Sequence, residues 1–245
     1  MRYLMTFSYD GTNYNGYQIQ KGKKTIQGEL EQKLMKINGM KEVKIHSSGR
    51  TDAHVHAICQ KAHFDLDKEI DINKFIHSLN SILESDIYVK NVEKVNDDFH
   101  ARYCVLEKEY IYKINIGEYN PFDRNYIYQY NKNLDIEKMR DAIKYFIGTH
   151  NFKSFAKIDK DDDKDLTRTI YESSIEQKDN IVTIKFKGSG FLRYMVRNMV
   201  GTLIEVGEGK INPENIIDIL DKENRIYAGK TAIPNGLYLN DVKYK

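Results

Sequence analysis

The sequence predicts an α+β protein made of two ferredoxin-like halves, residues 1–105 and 106–245, whose antiparallel sheets join around a central cleft. Apolar residues switch along the chain between strand-like and helix-like spacing, and the switches give β-α-β-β-α-β in the first half. The second half can be read in the same order. A chain of 245 residues is long enough for one large domain or two small ones with their own cores.

Taken in order, Tyr3 to Tyr9 alternates apolar and polar residues as a first strand. Thr25 to Ile37 follows as a helix, with Thr25 as its cap and Ile26, Leu30, Leu34 and Ile37 on one face. Strands are expected at Val43–Ser47 and Ile58–Leu66, a helix near Ile72–Leu83 and a strand at Ile87–Val95. The second half begins with a strand at Glu109–Ile116 and a helix at Ile136–Ile147. A hairpin then joins Thr169–Ile175 to Ile181–Phe186 across Gln177-Lys178-Asp179-Asn180. A long helix, Phe191–Val206, carries an apolar stripe; a short helix at Pro213–Leu220 and a strand at Asp241–Tyr244 complete the pattern. No residue-level repeat is visible, so the likeness of the halves lies in architecture alone.

Composition narrows the class. Hydrophobic residues make up 40% and charged residues 30%, an ordinary balance for a globular protein. The mean hydropathy is −0.63, and no apolar run approaches the ~18 residues of a membrane span. The first residues read as a strand and not as a signal-peptide core, which places the chain in the cytoplasm. Cys59 and Cys104 lack metal-ligand spacing and read as buried, reduced thiols. The formal charge of +2 is not itself a nucleic-acid signature, but 38 basic residues against 36 acidic ones can still form a basic cleft. Five of the acids fall in the run Asp159-Lys160-Asp161-Asp162-Asp163-Lys164-Asp165, an expected exposed loop.

The run Gly49-Arg50-Thr51-Asp52-Ala53 lies between two strand-like segments. Gly49 permits a tight turn from which Arg50 and Asp52 project, and a neighbouring guanidinium favours an ionised, nucleophilic carboxylate. On local chemistry alone, a charged surface turn explains the run better. His54 and His56 stand on one face of an extended segment and with Asp52 could ligate a metal, although no second cluster supports them. Tyr110 and Tyr112 share one side of a strand; either could pack in the core or offer a ring for a splayed-out base. Arg193 and Arg197 are placed one turn apart on the long helix, as a solvated rim or as cations for a carboxylate or phosphate. Arg102, Lys108, Lys153, Lys157 and Arg168 are scattered candidates for backbone contacts, each readable as plain surface charge.

Taken together, these segments resemble the tRNA pseudouridine synthase A family nearly end to end. The resemblance is carried by Tyr9-Asp10-Gly11-Thr12 through Gly16-Tyr17-Gln18, and by Gly49-Arg50-Thr51-Asp52-Ala53 through His56-Ala57 with Gln60 and His63-Phe64. It continues in Asp98-Phe99-His100-Ala101-Arg102, Tyr110-Ile111-Tyr112 and Gly148-Thr149-His150-Asn151-Phe152. Met195-Val196-Arg197-Asn198, Gly201-Thr202-Leu203 and Gly236-Leu237-Tyr238-Leu239 close it. Their order and spacing carry the match more than any one fragment.

The resemblance implies that Asp52 is the catalytic nucleophile, that Tyr110 contacts the target base, that Arg197 sits near the catalytic aspartate, and that Arg50 assists base flipping. It implies a homodimer acting on the anticodon stem-loop of tRNA, a central RNA-binding cleft, no organic cofactor and no catalytic metal. In the implied reaction the N1–C1′ glycosidic bond of uridine breaks, the uracil turns, and C5 bonds to C1′. A stacked base is out of reach, so the nucleotide must be extruded; unstacking costs a few kcal/mol, offset by stacking and phosphate contacts. Asp52 attack at C1′, attack at C6 and a base-assisted glycal route all remain open. The chain departs from the family at His54, where glycine is usual and a positive φ would strain other residues. It departs also at Tyr17 for tryptophan, Glu84 for proline and Asn151 for aspartate. Two other readings stand beside this one: a tRNA-binding or folding module with weakened catalysis, and a metal-dependent hydrolase built on Asp52, His54 and His56.

Overall fold

The computed structural model describes residues 1–158 and 165–244, so the acidic run lies, up to Lys164, outside the described residues. The architecture is α+β, with mostly antiparallel strands, five α-helices and short 3-10 turns among the described residues. Two compact units divide the chain: Met1–Leu106 together with Tyr238–Lys245, and Glu107–Leu237.

The first unit runs β1 (Arg2–Tyr9), α1 (Ile26–Ile37), β2 (Ile45–Ser47), β3 (His56–Asp65), α2 (Ile72–Ile82) and β4 (Ile87–Val95). Strand β1 is central, antiparallel to β4 on one side and to β3 on the other; β2 pairs with the far end of β3. The period-two alternation of β1 buries Tyr3, Met5, Phe7 and Tyr9. Helix α1 starts where its cap residue directs: the Thr25 hydroxyl accepts from the Gly28 N–H at 3.3 Å. Its buried residues are Ile26, Leu30 and Leu34, three of the four expected. Asp71 caps α2 in the same way through the Lys74 N–H.

The C-terminal strand, Leu237–Tyr244, also belongs mainly to this unit, although sequence order puts it with the second half. It runs parallel to the start of β3, pairing Tyr238 with His56 and Leu239 with Ala57. The Tyr238 ring stacks on His56 at 4.8 Å, and the Tyr244 hydroxyl donates to the Ala101 carbonyl at 2.7 Å.

The second unit contains β5 (Val105–Asn115) from Glu107 onward, β6 (Tyr128–Gln129), α3 (Ile136–Ile143), β7 (Gly148–Asn151), β8 (Thr167–Lys178), β9 (Ile181–Gly188), α4 (Met195–Gly207) and α5 (Asn215–Asp221). Antiparallel pairing gives the order β5-β9-β8-β7, and the short β6 lies parallel to the end of β5. The expected hairpin closes tightly: Lys178 faces Ile181, and Asp179 takes the positive φ of 53°. Phe146, Phe155 and Phe186 meet beneath this sheet with ring separations of 5.1 and 6.1 Å.

The short strands β6 and β7 are not expected from the sequence, the last strand starts at Leu237 and not Asp241, and two helices differ at an end. The helix expected from Phe191 begins at Met195, because Tyr194 has φ 63° and ψ −1°, a left-handed backbone that cannot continue a right-handed helix. Arg193 therefore precedes α4 instead of riding on it. The helix expected to reach Ile147 tightens into a 3-10 turn at Lys144–Phe146, and Gly148, with φ 113°, starts β7.

Candidate active site

The Gly49–Ala53 run forms the irregular connection between β2 and β3. Its backbone is held from several directions. At its start, the Ser48 N–H donates to the Lys61 carbonyl at 2.7 Å, and the Ser48 hydroxyl donates to Gln60 Oε1 at 2.6 Å. The Gln60 amide in turn donates to the Gly49 carbonyl at 3.1 Å, and Ser48 and Gln60 are fully buried. In the middle, the Thr51 hydroxyl is 2.8 Å from the Tyr9 hydroxyl in a buried contact, and burial pushes the Tyr9 phenol up to about 12. A buried polar pair that is mutually satisfied fixes a backbone more firmly than exposed bonds do.

A second loop, residues 10–17, supports the run from outside. The Tyr17 N–H donates to the Thr51 carbonyl at 3.1 Å, and the His54 N–H donates to the Tyr14 carbonyl at 3.3 Å. Gly16 lies between these bonds with φ 90°; a Cβ there would sit 2.9 Å from the Thr51 oxygen and 3.2 Å from the Asp52 carbonyl carbon. Only glycine lets the two loops approach this closely. Asp52 is thus presented half-buried on a fixed backbone, while Arg50 beside it is exposed.

Asp52 opens a turn that its own carbonyl closes, accepting from the Val55 N–H at 3.2 Å. His54 is the third residue of that turn and has φ 64°, as a type II turn requires of its third position. The usual glycine of the resembled family has a physical reason here, and histidine occupies the same backbone. Its ring is exposed, and Nδ1–H donates to the Thr12 carbonyl at 2.8 Å. His56 is buried, with Nδ1 at 3.1 Å from both the Gly11 N–H and Asp10 Oδ1. The two imidazoles are committed to different partners. Among the described residues, no group of three or more His, Cys, Asp or Glu is arranged to hold a metal.

The other expected site residues lie in the second unit. Tyr110, on β5, is buried with its ring edge-on to Phe191 at 5.0 Å. Tyr112, two residues along, serves the core: it is fully buried, its hydroxyl donates to the Ile233 carbonyl at 2.7 Å, and burial holds its pKa well above that of free tyrosine. Arg197, half-buried in the first turn of α4, donates through Nε to the Ala232 carbonyl at 2.8 Å. Its guanidinium lies 4.8 Å over the Tyr194 ring, which Lys157 and Arg193 also approach, at 5.3 and 5.5 Å. Arg168 is bound to the carbonyls of Asp165 and Thr167. Both cysteines are free and half-buried, more accessible than the sequence implied.

Sequence reasoning missed the Tyr9–Thr51 and Ser48–Gln60 braces, whose residues are ordinary and far apart in sequence. It missed Tyr194 as well, since nothing in its local sequence marks a left-handed residue.

The family described as tRNA pseudouridine synthase matches residues 5–104 and 142–245. The chain belongs to that family. It is 46% identical over 244 residues to tRNA pseudouridine synthase A 1 of Bacillus cereus, covering 99% of this chain and 98% of that one. It is 45% identical to tRNA pseudouridine synthase A of Anoxybacillus flavithermus over 99% and 98% of the two chains. The corresponding protein of Oceanobacillus iheyensis is 44% identical over 100% and 97%. No helix among the described residues is long and apolar enough to cross a membrane.

Proposed function

We propose that the protein isomerises uridine to pseudouridine in the anticodon stem-loop of tRNA, with Asp52 as the nucleophile on a flipped-out nucleotide. The reaction class follows the family. The observation that carries the assignment to Asp52 is the braced turn: a half-buried carboxylate on a backbone fixed by buried pairs and by the 10–17 loop. Such fixing holds a reacting group in place without reorganisation during the reaction. Arg50, exposed next to it, assists extrusion of the base or holds the flipped state. In the second unit, the family resemblance gives Tyr110 the role of a ring for the uracil and Arg197 that of a cation; the first is buried edge-on to Phe191 and the second is anchored by Ala232. We read each unit as one ferredoxin-like half, supported in the first by its strand order, and the working form as a homodimer.

Mapping pseudouridine after incubation with unmodified tRNAs tests this reading. Wild-type protein should convert uridines in the anticodon stem-loop. Asp52→Asn should lower conversion by roughly 10³-fold or more, with tRNA still bound. Equal conversion by the two proteins would overturn the role of Asp52.

A further inference from the structure

The second unit has a pocket that none of these roles uses. Its volume is about 620 Å³, and its walls include Lys153, Lys157, Tyr194, Asn198, Arg225 and Thr231. Arg225 is half-buried, yet all its hydrogen-bond acceptors are neutral. They are the Ala228 carbonyl at 2.9 Å and, at 3.1 Å each, Asn198 Oδ1 and Thr231 Oγ1. Three of the five guanidinium N–H donors are thereby used and two remain. Asn198 is buried and fixes this arrangement: its amide donates to the Phe155 carbonyl at 2.7 Å, and its oxygen also accepts from the Thr231 hydroxyl at 2.6 Å.

Around Arg225 the lining is cationic. Among the described residues, neither Arg225 nor Lys157 forms an ion pair, and the Lys157 ammonium instead lies over the Tyr194 ring. The lining carboxylate Glu223 reaches Lys153 at 4.0 Å. A guanidinium drawn out of water among neutral hydrogen-bond partners carries a desolvation cost, which Glu205 offsets only from beyond ion-pair distance and which an anion in the pocket would offset further. A guanidinium with free donors matches phosphate geometry, and the volume leaves room for the adjoining sugar.

We propose that this pocket is a phosphate subsite, filled by a backbone phosphate of the bound tRNA. The proposal rests on the reading of the protein as a tRNA-modifying enzyme. Tyr194 gives it a link to the chemistry: the ring that Lys157 covers on the pocket wall is the ring beneath Arg197. A phosphate drawn to Lys157 and Arg225 would therefore bear on the same aromatic support as a proposed site residue.

The test measures tRNA affinity of the full chain across salt concentrations, for wild type, Lys157→Glu and Arg225→Lys. Lys157→Glu should weaken binding roughly 5- to 30-fold and lower the slope of log K against log salt by about one. Arg225→Lys keeps the charge but loses the fork, and should weaken binding about threefold at unchanged thermal stability. Inorganic phosphate, added at constant ionic strength, should compete with tRNA on wild type and less on Lys157→Glu. Wild-type affinity and slope in a folded Lys157→Glu would overturn the proposal. So would phosphate binding lost in Lys157→Glu with tRNA affinity unchanged, which would assign the pocket to a small anion. A wild-type protein that converts no tRNA would instead overturn the proposed function, a separate result.

Discussion

His54 is the residue at which this chain departs from its family closest to the proposed nucleophile. Its φ of 64° explains why glycine is usual there. The left-handed region costs an L-residue roughly 1–2 kcal/mol, and histidine tolerates it better than branched side chains do. The bond to the Thr12 carbonyl recovers part of that cost. His54→Gly should therefore change stability by less than about 1 kcal/mol and leave conversion intact. His54→Val should lose about 2 kcal/mol and lower conversion, because relief of the strain would tilt the Asp52 turn. Urea denaturation and single-turnover conversion of both variants check this; a His54→Val protein as stable as wild type would show that the turn yields freely. The sequence made this position legible because a family glycine replaced by a larger residue raises a backbone question. It left the Thr51 and Gln60 braces hidden, since a hydroxyl or amide finds its partner only once distant strands pair.

Helix α4 starts later than the apolar pattern predicts. All of its residues except Arg197 and Glu205 are buried, so the apolar pattern around it was clear. The pattern extends back through Phe191 and Leu192, yet Tyr194 breaks the helix without glycine or proline to announce it. Further along, Gly201 faces the chain at 228–232. A Cβ there would lie 1.6 Å from the Lys230 carbonyl oxygen and 3.2 Å from the Ala232 N. On an exposed helix, Gly→Ala would stabilise by about 1 kcal/mol. Here Gly201→Ala should instead destabilise by about 3 kcal/mol, since two backbones must part. Arg197 would shift as well, because its carbonyl accepts from the Ala232 N–H at 3.0 Å and its Nε donates back to Ala232. Thermal unfolding measures the first effect and conversion rate the second; an alanine variant with wild-type melting would refute the close contact.

Three histidines distant in sequence come together in the first unit: His63 lies 4.9 Å from His46 and 4.7 Å from His100, ring to ring. Burial, with the nearby charges of Arg2, His100 and His46, lowers the His63 pKa from 6.5 to about 4. The neutral ring accepts the Ala101 N–H at Nδ1, a bond lost on protonation. Between about pH 6.5 and pH 4 the unfolded chain binds a proton that the folded chain refuses. Stability should thus be full above pH 6.5 and fall by on the order of 2 kcal/mol as pH drops to 4. His63→Asn, which keeps an acceptor but does not titrate, should show a shallower fall in melting temperature across that range. Identical slopes would remove His63 as the cause. The order of elements in the first half was readable from periodicity, and so were most strands of the second. The place of the last strand was not, because which edge accepts a late strand depends on tertiary pairing.

That late strand makes the second unit an insertion within the first. The β3 residues His56 and Ala57, just beyond the Asp52 turn, are made early but meet Tyr238 and Leu239 only after residues 107–237 have been synthesised. At ordinary elongation rates that interval is on the order of 10 s. During it the start of β3 lacks the partner strand it has in the folded unit, and such an unpaired edge is open to association. Birth of the Asp52 site is in this sense timed by the far end of the message.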